Sequence, residues 1–265
     1  MKHTARFERG FTLTELAIAF VIIALLLASF VYTLSAQVEQ RNFQETRDRL
    51  NSARDVLLSY AIVMGRLPCP AAPDTTGIES DSPVGSGTCT NPYNGFLPAI
   101  TIGYQQVDSS GYALDAYGNR IRYAVPSSAV ALSGCTGTST LPHFTNSTNL
   151  KANGITCLPS DLVVCKSAGG IGASSCGGSA NAVTNQNIVV AIIFSVGKNF
   201  PTAPTAASAT AAGRTDEAAN LNANASFVFH TLTPAGATNG EFDDYFVWVT
   251  VGELYGRLIA AGVLP

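Results

Sequence analysis

The chain has 265 residues, of which 46% are hydrophobic and 12% are charged, and its formal net charge at pH 7 is −3. This length allows one sizeable globular domain with an anchor, or two small domains. The charge balance provides neither the basic surface that nucleic-acid binding needs nor a polyacidic tail, so it argues against a nucleic-acid partner.

The first 38 residues combine a short basic leader with a long apolar run. Residues 1–10 contain three Lys or Arg side chains and one acid, and residues 16–38 contain no charged side chain. At about 1.5 Å per residue, a helix over this run would measure roughly 34 Å, which is enough to cross a bilayer. The basic leader predicts that the N-terminus stays in the cytoplasm and that the rest faces outward.

Residues 10–15 read G-F-T-L-T-E, and they resemble the processing site of type IV prepilins and type II secretion pseudopilins. An ordinary secretory signal is cut after its apolar run, whereas here the small residue, Gly10, precedes that run. The resemblance implies that a prepilin peptidase cuts after Gly10 and methylates the new amino terminus at Phe11. Glu15 would then be the fifth residue of the mature chain.

Glu15 lies at the edge of the apolar run, where a carboxylate costs a few kcal/mol and by default marks a functional contact. The resemblance implies that it pairs with the amine of Phe11 on a neighbouring subunit during filament assembly. The alternative is a plain signal anchor with Glu15 among the lipid headgroups. Residues 16–64 contain no Pro or Gly, so we expect the anchor to stay helical, unlike many filament pilins.

After residue 38 the apolar pattern becomes amphipathic without a break. Apolar residues recur at three- and four-residue steps through residues 39–64, which predicts a helix that packs one face on a core. Gly65 and Pro68 then end the helix. The sequence therefore predicts a leader at 1–10, a transmembrane and assembly half at 11–38, an amphipathic half at 39–64 and a globular head at 65–265.

The head alternates short apolar runs with turn-rich loops, which predicts strands at 120–125, 162–165, 188–196, 226–232 and 245–249. A last helix is predicted from the capping box of Thr250 and Glu253 to Gly262. The low-complexity run 202–213 is expected to form a mobile loop. The predicted fold class is α+β: a pilin-like lollipop, with the long helix packed on an antiparallel sheet head that has disulfide-bridged loops.

Six cysteines all follow the apolar run, and no two of them form a CxxC pair that would favour zinc or redox chemistry. An even number in Gly/Ser-rich loops favours disulfides, which suits the bacterial periplasm or cell surface. Among 15 possible connectivities, we expect sequence-adjacent pairs: Cys69–Cys89, Cys135–Cys157 and Cys165–Cys176.

Three segments of the head are similar to the major pseudopilins, and they occur in the same order. Residues 115–123 are similar to D-P-W-G-N-P-Y-x-Y, residues 195–199 to S-x-G-x-D, and residues 244–248 to D-I-x-x-W. In that family the last two segments surround a calcium ion. The resemblance thus implies calcium as the one candidate cofactor, with the ligands Ser195, Asn199 and Asp244 and the additional acid Asp243.

The same acids have an alternative role without a metal. Asp243 and Asp244 could instead accept hydrogen bonds from loop amides or pair with Arg214, and the departures Asn199 and Phe200 from the family pattern favour this reading.

Catalytic motifs are missing from the sequence. Neither G-x-S-x-G nor H-E-x-x-H occurs, and His143 and His230 stand apart among apolar and Thr neighbours. The missing motifs argue against an enzyme, and the resemblance to prepilins implies a structural subunit: a minor pilin or pseudopilin of a type IV pilus or type II secretion-like filament. The resemblance also implies its partners, which are other pilin subunits, the prepilin peptidase and the inner-membrane assembly platform. Its predicted location is the inner membrane, with the head in the periplasm, and then the filament. The alternatives are a pilus-borne adhesin and a membrane-anchored periplasmic enzyme.

Overall fold

The computed structural model describes residues 10, 12–128 and 141–264, and for residues 29–36 it describes the backbone alone. Phe11 and Cys135 therefore lie outside the described residues, as does the leader up to residue 9. The chain divides into two compact units, Met1–Gln44 and Glu45–Pro265, here called the N-terminal unit and the C-terminal unit.

Helix α1 runs over Leu13–Met64, 52 residues without an interruption. Its sequence lacks Pro and Gly throughout, the two residues that most disfavour helix interiors. Gly65 ends it in the left-handed region, at φ 67°, and its N–H donates to the carbonyl oxygen of Ala61 at 2.8 Å. This is the glycine termination that the sequence predicts.

The described residues contain no helix that reaches the length and hydropathy of a membrane span.

The described residues of the C-terminal unit contain six strands, Gly95–Phe96 (β1), Arg122–Ala124 (β2), Val163–Cys165 (β3), Val189–Ser195 (β4), Ser226–Val228 (β5) and Tyr245–Thr250 (β6). Four of them form an antiparallel sheet in the order β1-β2-β4-β6. The central strand β4 is buried along its whole length, which explains its unbroken apolar sequence.

The predicted antiparallel sheet is right for these four strands and wrong for the other two, because β3 and β5 pair in parallel. Two predicted strands are also too long. Arg120 only forms an isolated bridge with Leu114, and β5 ends at Val228. Strand β1 is two residues long, which is too short for any periodicity to appear in the sequence.

One face of α1 lies on the antiparallel sheet within the C-terminal unit. The buried residues of this helix face are Leu50, Ala53, Leu57, Leu58 and Ala61. They share a core with strand residues such as Tyr123, Ile193 and Val249. They follow the three- and four-residue spacing of an amphipathic helix. A second core, around Phe194 and Phe227, lies between that sheet and the β3–β5 pair.

Outside α1, five α-helices lie in the part of the C-terminal unit that the structure describes: Ala99–Ile102 (α2), Ser147–Asn153 (α3), Ala206–Ala211 (α4), Thr215–Asn220 (α5) and Val251–Ala260 (α6). Helix α4 lies within residues 202–213, where the sequence predicts a mobile loop and not a helix. Thr205 and Ser208 cap it reciprocally, and Ala209 is 1% exposed. The Ala-rich composition that resembles low complexity also has the highest helix propensity.

Helix α6 starts as the sequence predicts but uses only half of the predicted capping box. The Thr250 hydroxyl accepts from the Glu253 N–H at 3.3 Å. The Glu253 carboxylate does not accept the hydrogen bond from the Thr250 N–H that would complete the box. It forms an ion pair with Arg54 of α1 instead. Gly262, at φ 70°, follows the helix end.

Two disulfides with both cysteines among the described residues cross-link loops of the C-terminal unit. Cys69 is bonded to Cys89 and Cys165 to Cys176, with Cα–Cα distances of 5.2 and 5.4 Å. Cys157 is also disulfide-bonded. Its expected partner, Cys135, lies outside the described residues, so that pairing stays a prediction.

Candidate functional site

The predicted cleavage site lies just before the first turn of α1. Gly10 is exposed, and a Cβ built on it would meet no atom within 4 Å. Because the helix begins at Leu13, Gly10 is outside the helical hydrogen-bond ladder. An unhindered backbone of this kind is what a peptidase needs at the bond that it cuts.

Thr12 and Glu15 form a capping box at this helix start. Glu15 Oε2 accepts from the Thr12 N–H at 2.9 Å and from its hydroxyl at 2.8 Å. The Thr12 Oγ1 in turn accepts from the Glu15 N–H at 3.3 Å. The S/T-x-x-E spacing that signals this motif is present in the sequence, but the comparison with prepilins drew attention to Glu15 alone.

The helix after Glu15 presents an apolar surface without a protein partner among the described residues. Leu13 is 85% exposed, and large apolar side chains on all sides of the helix are more than half exposed; they include Ile18, Phe20, Val21 and Leu25. Water-exposed apolar surface of this extent is unfavourable, so this segment requires an apolar environment.

A second candidate site is a cluster of three carboxylates in the C-terminal unit. Glu217, Asp243 and Asp244 each present an oxygen atom, and these three atoms lie within 4.8 Å of one another. Glu217 belongs to α5, and the two aspartates directly precede β6. The sequence comparison named both aspartates and missed Glu217, because this helix has no counterpart in the quoted motifs.

Amide groups satisfy part of this acid cluster. Asp243 Oδ2 accepts from the N–H groups of Lys198 and Asn199, each at 3.0 Å. Glu217 Oε1 accepts from the Asn199 side-chain amide at 2.8 Å and from the Asp243 N–H at 2.9 Å. Asn220 donates to Asp244 Oδ2 at 2.8 Å. For Asp243 these contacts are those of the predicted alternative, in which loop amides bind the acids, whereas Asp244 binds the side chain of Asn220 in α5.

Arg214 forms an ion pair with one member of the acid cluster. Its guanidinium is 3.5 Å from Glu217 and also donates to the Asn199 carbonyl and the Thr202 hydroxyl. The charge of the largely buried Arg122 also acts on Asp244, so two cations face three carboxylates. Burial, followed by repulsion from Glu217, raises the pKa of Asp243 to about 7 and that of Asp244 well above its usual range.

One oxygen atom of the cluster has no hydrogen bond to any described residue. Asp243 Oδ1 is buried and unpaired, and it lies against Gly197, where a Cβ would approach it to 1.8 Å. Gly197 also has φ 67°. This position therefore requires glycine both for its conformation and for the close approach of the carboxylate.

Ser195, one of the four predicted calcium ligands, does not present a free oxygen to the cluster, and Asn199 contacts the cluster through its NH₂ group. Ser195 is fully buried and donates its hydroxyl to Asp115 at 2.6 Å, while the Asn199 side chain presents its NH₂ group to Glu217. The carboxylates of Asp243, Asp244 and Glu217 remain as the oxygen set for a cation.

The three segments that are similar to pseudopilins meet in space. Asp115 of the first segment accepts from Ser195 of the second, and the Asn119 side chain donates to the Gly197 carbonyl at 2.5 Å. Asp243, just before the third segment, accepts from the 198–199 amides. The fold therefore brings together residues that are up to about 130 positions apart, and this supports reading the segments as one structural unit.

Neither described histidine has the surroundings of a catalytic base. His143 is completely buried, and its Nε2 contacts the Tyr255 hydroxyl at 2.9 Å. His230 has both ring nitrogens against oxygen atoms, of Thr231 and Asp216. Neither ring faces a described Ser or Cys nucleophile.

Residues 5–31 match the family model of the prokaryotic N-terminal methylation motif. No curated protein and no solved structure matches the chain.

Proposed function

We propose that this chain, which carries the N-terminal methylation motif that is the hallmark of type IV pilins and pseudopilins, is a structural subunit of a type IV pilus or type II secretion-like filament. A prepilin peptidase removes residues 1–10 and methylates Phe11. The observation that carries the proposal is an exposed Gly10 three positions before the first residue of a 52-residue helix.

The exposed apolar surface of the first turns supports membrane insertion followed by helix bundling. Residues 11–38 would lie in the inner membrane before assembly and against the helices of other subunits afterwards. Both environments bury the side chains that the described part of the chain leaves exposed. An inner-membrane platform would carry out the transfer between them.

Size and cross-links of the head favour a minor subunit over the bulk filament subunit. Disulfides close two of its loops, and the added segments between the pseudopilin-like motifs enlarge the head surface. A subunit of this kind would initiate or cap the filament, where a large head meets no neighbour on one side.

Adhesion is the second candidate function, and one surface favours it. A cleft of about 450 Å³ lies beside the Cys165–Cys176 disulfide, and small polar residues line it, among them Ser174, Ser175, Ser179, Asn185 and Gln186. Such groups donate and accept hydrogen bonds as hydroxyl-rich ligands require. Loss of surface adherence in Gln186→Ala, with filament number unchanged, would favour the adhesin role.

The acid cluster is the proposed calcium site of this subunit. Its three carboxylates and the unpaired Asp243 Oδ1 suit a hard cation that prefers oxygen ligands. A bound cation would neutralise the cluster and join α5 to the segment before β6, which would link external calcium to the stability of the C-terminal unit.

Intact-mass analysis of the full chain from cells with and without a prepilin peptidase tests the proposed function. We expect loss of residues 1–10 and one added methyl group only in cells that contain the peptidase. Gly10→Val should abolish the processing, and Gly256→Val, at an exposed position in α6, should not. An unprocessed wild-type chain in the presence of active peptidase would refute the assignment.

A further inference from the structure

Arg122 of β2 lies on the face of the antiparallel sheet that borders the second core. It stands opposite Phe194 of β4, and Phe194 stands opposite Phe246 of β6. Side chains directly opposite one another in a sheet lie on the same face. The rings of Phe194 and Phe246 stack with 4.8 Å between their centres, and both belong to the second core. Arg122 therefore extends a row of side chains that runs across the sheet on this face.

Asp244 of the acid cluster lies on the same face. It precedes Phe246 by two residues, and side chains two residues apart along a strand point to the same side. Asn220, which donates to Asp244 Oδ2 at 2.8 Å, also bonds to the backbone of Val228 in β5, on the far side of the second core. Asp244 is 3% exposed. A guanidinium and a buried carboxylate thus share one side of the sheet.

The contacts of Arg122 are with neutral groups. Its guanidinium donates to the Asn94 side-chain oxygen at 2.8 Å, and its Nε is buried without a hydrogen bond to any described residue. The ring centres of Phe96 and Phe200 lie 4.6 and 5.8 Å from the guanidinium carbon. A charge that is removed from water needs a counter-charge. Burial lowers the pKa of Arg122 to about 10, and attraction from Asp244 opposes this shift.

The acid cluster therefore contains positive charge of its own. Arg214 pairs with Glu217, and Arg122 is the counter-charge on the side of Asp244. Two guanidinium charges against three carboxylates leave one net negative charge. Arg122 offers no oxygen atom, so it cannot be a ligand, and its charge repels any cation that the carboxylates bind. The affinity of an oxygen site for calcium depends on the charge of its ligands, and Arg122 offsets part of that charge.

We propose that Arg122 sets the calcium affinity of the acid cluster and keeps it near the 10⁻⁴–10⁻³ M that is roughly typical of extracellular calcium modules. This inference rests on the calcium site of the proposed function. Without calcium, Arg122 stabilises the cluster as the counter-charge of Asp244. With calcium bound, the same charge opposes the ion. The site consequently fills and empties with the external calcium concentration and does not hold calcium permanently.

A purely structural arginine would behave differently. If Arg122 only packed between its aromatic neighbours, its replacement would destabilise the calcium-free and the calcium-bound chain equally, and the dissociation constant would not change. A counter-charge stabilises the calcium-free chain more than the calcium-bound chain, and by linkage this difference equals the change in binding free energy. The dissociation constant therefore distinguishes the two roles.

Calcium chloride titrations of the full chain in detergent micelles at constant ionic strength, followed by calorimetry and by melting temperature, test the proposal. The wild-type dissociation constant should lie at roughly 10⁻⁴–10⁻³ M. Arg122→Gln, which keeps hydrogen-bond donors but has no charge, should bind calcium about tenfold more tightly, because a repelling charge has been removed. Without calcium it should melt at a lower temperature than the wild type. Arg122→Lys keeps the charge and should have the wild-type dissociation constant.

Arg120→Gln is the matched control. Arg120 pairs with Asp108, which is not part of the acid cluster, so its loss should not change calcium binding. Equal or weaker binding by Arg122→Gln would overturn the proposal. A wild-type dissociation constant below about 10⁻⁶ M would also overturn it, and this measurement decides even if Arg122→Gln does not fold. A wild-type chain that binds no calcium at about 10⁻² M, well above the expected range, would refute the calcium site and this proposal together. Processing of residues 1–10 would still test the pilin assignment separately.

Discussion

Thr12 and Glu15 cap one another at the start of α1, with the Glu15 carboxylate 2.9 Å from the Thr12 N–H and 2.8 Å from its hydroxyl. The acid that the proposed assembly step requires is therefore already engaged within its own chain. An incoming amine from a neighbouring Phe11 would have to replace or share these contacts. Capping and subunit pairing are two separable roles of one carboxylate.

Glu15→Gln separates these roles, because glutamine can still cap the helix but carries no charge. We expect Glu15→Gln to insert into the membrane normally and to lose incorporation into filaments. Thr12→Val, which removes the hydroxyl and keeps the shape, should cost about 1 kcal/mol of helix stability and retain incorporation. Sheared-filament immunoblots and membrane fractionation measure both. Normal incorporation of Glu15→Gln would show that the charge is dispensable and that capping is the role of this residue.

Local signals in the sequence predict the elements that depend on local patterns. The spacing of Leu50, Leu57 and Ala61 predicts the buried face of α1, and Thr250 predicts the start of α6. The unbroken apolar run of β4 predicts a buried strand. These elements are set by periodicity, by capping and by burial, all of which are readable over a few residues.

Long-range pairing is where the prediction fails. The parallel partners β3 and β5 are about 60 residues apart, and no short pattern specifies such a pair. Glu217 joins the acid cluster because α5 packs near β6, so only the tertiary fold identifies it as a member. For Ser195 the sequence motif predicts a calcium ligand, but in the fold its hydroxyl donates to the Asp115 carboxylate.

Disulfide mapping tests the remaining covalent prediction. Unreduced peptide maps should contain Cys69–Cys89, Cys165–Cys176 and Cys135–Cys157. Replacing both Cys165 and Cys176 with serine should lower the free energy of unfolding by about 3 kcal/mol, because the bond closes a loop of 11 residues. Calorimetry measures the change, and a peptide that joins Cys135 to any other cysteine would contradict the third pairing.

Calcium should stabilise the full chain through the acid cluster. At a tenfold excess over its dissociation constant, the cation would raise the melting temperature by about 4 °C, and a chelator would reverse the rise. Asp243→Asn should remove the response. Asp55→Asn changes an exposed acid of α1 and should keep it. If neither calcium nor the chelator changes the melting temperature, the cluster does not bind calcium and is a metal-free arrangement of amide-bound acids.

His143 should make the fold sensitive to acid. It is fully buried, and its Nε2–H donates to the Tyr255 hydroxyl, which itself donates to the Cys157 carbonyl at 2.9 Å. Nδ1 is buried without a partner among the described residues. A proton there would place an uncompensated charge in the core, and burial accordingly lowers the pKa of His143 to about 4.

The unfolded chain binds this proton near pH 6.5, so the folded state binds fewer protons between that pH and 4. The contribution of His143 to stability is therefore complete above pH 6.5 and is lost as the pH falls towards 4, by on the order of 2–3 kcal/mol. His143→Gln keeps a donor for Tyr255 but cannot take up the proton. Trp248, the single tryptophan, gives the fluorescence signal for thermal melts of both proteins. We expect the wild-type melting temperature to fall relative to that of His143→Gln below pH 6.5. A difference between them that stays constant from pH 7 to 4.5 would contradict the buried neutral ring.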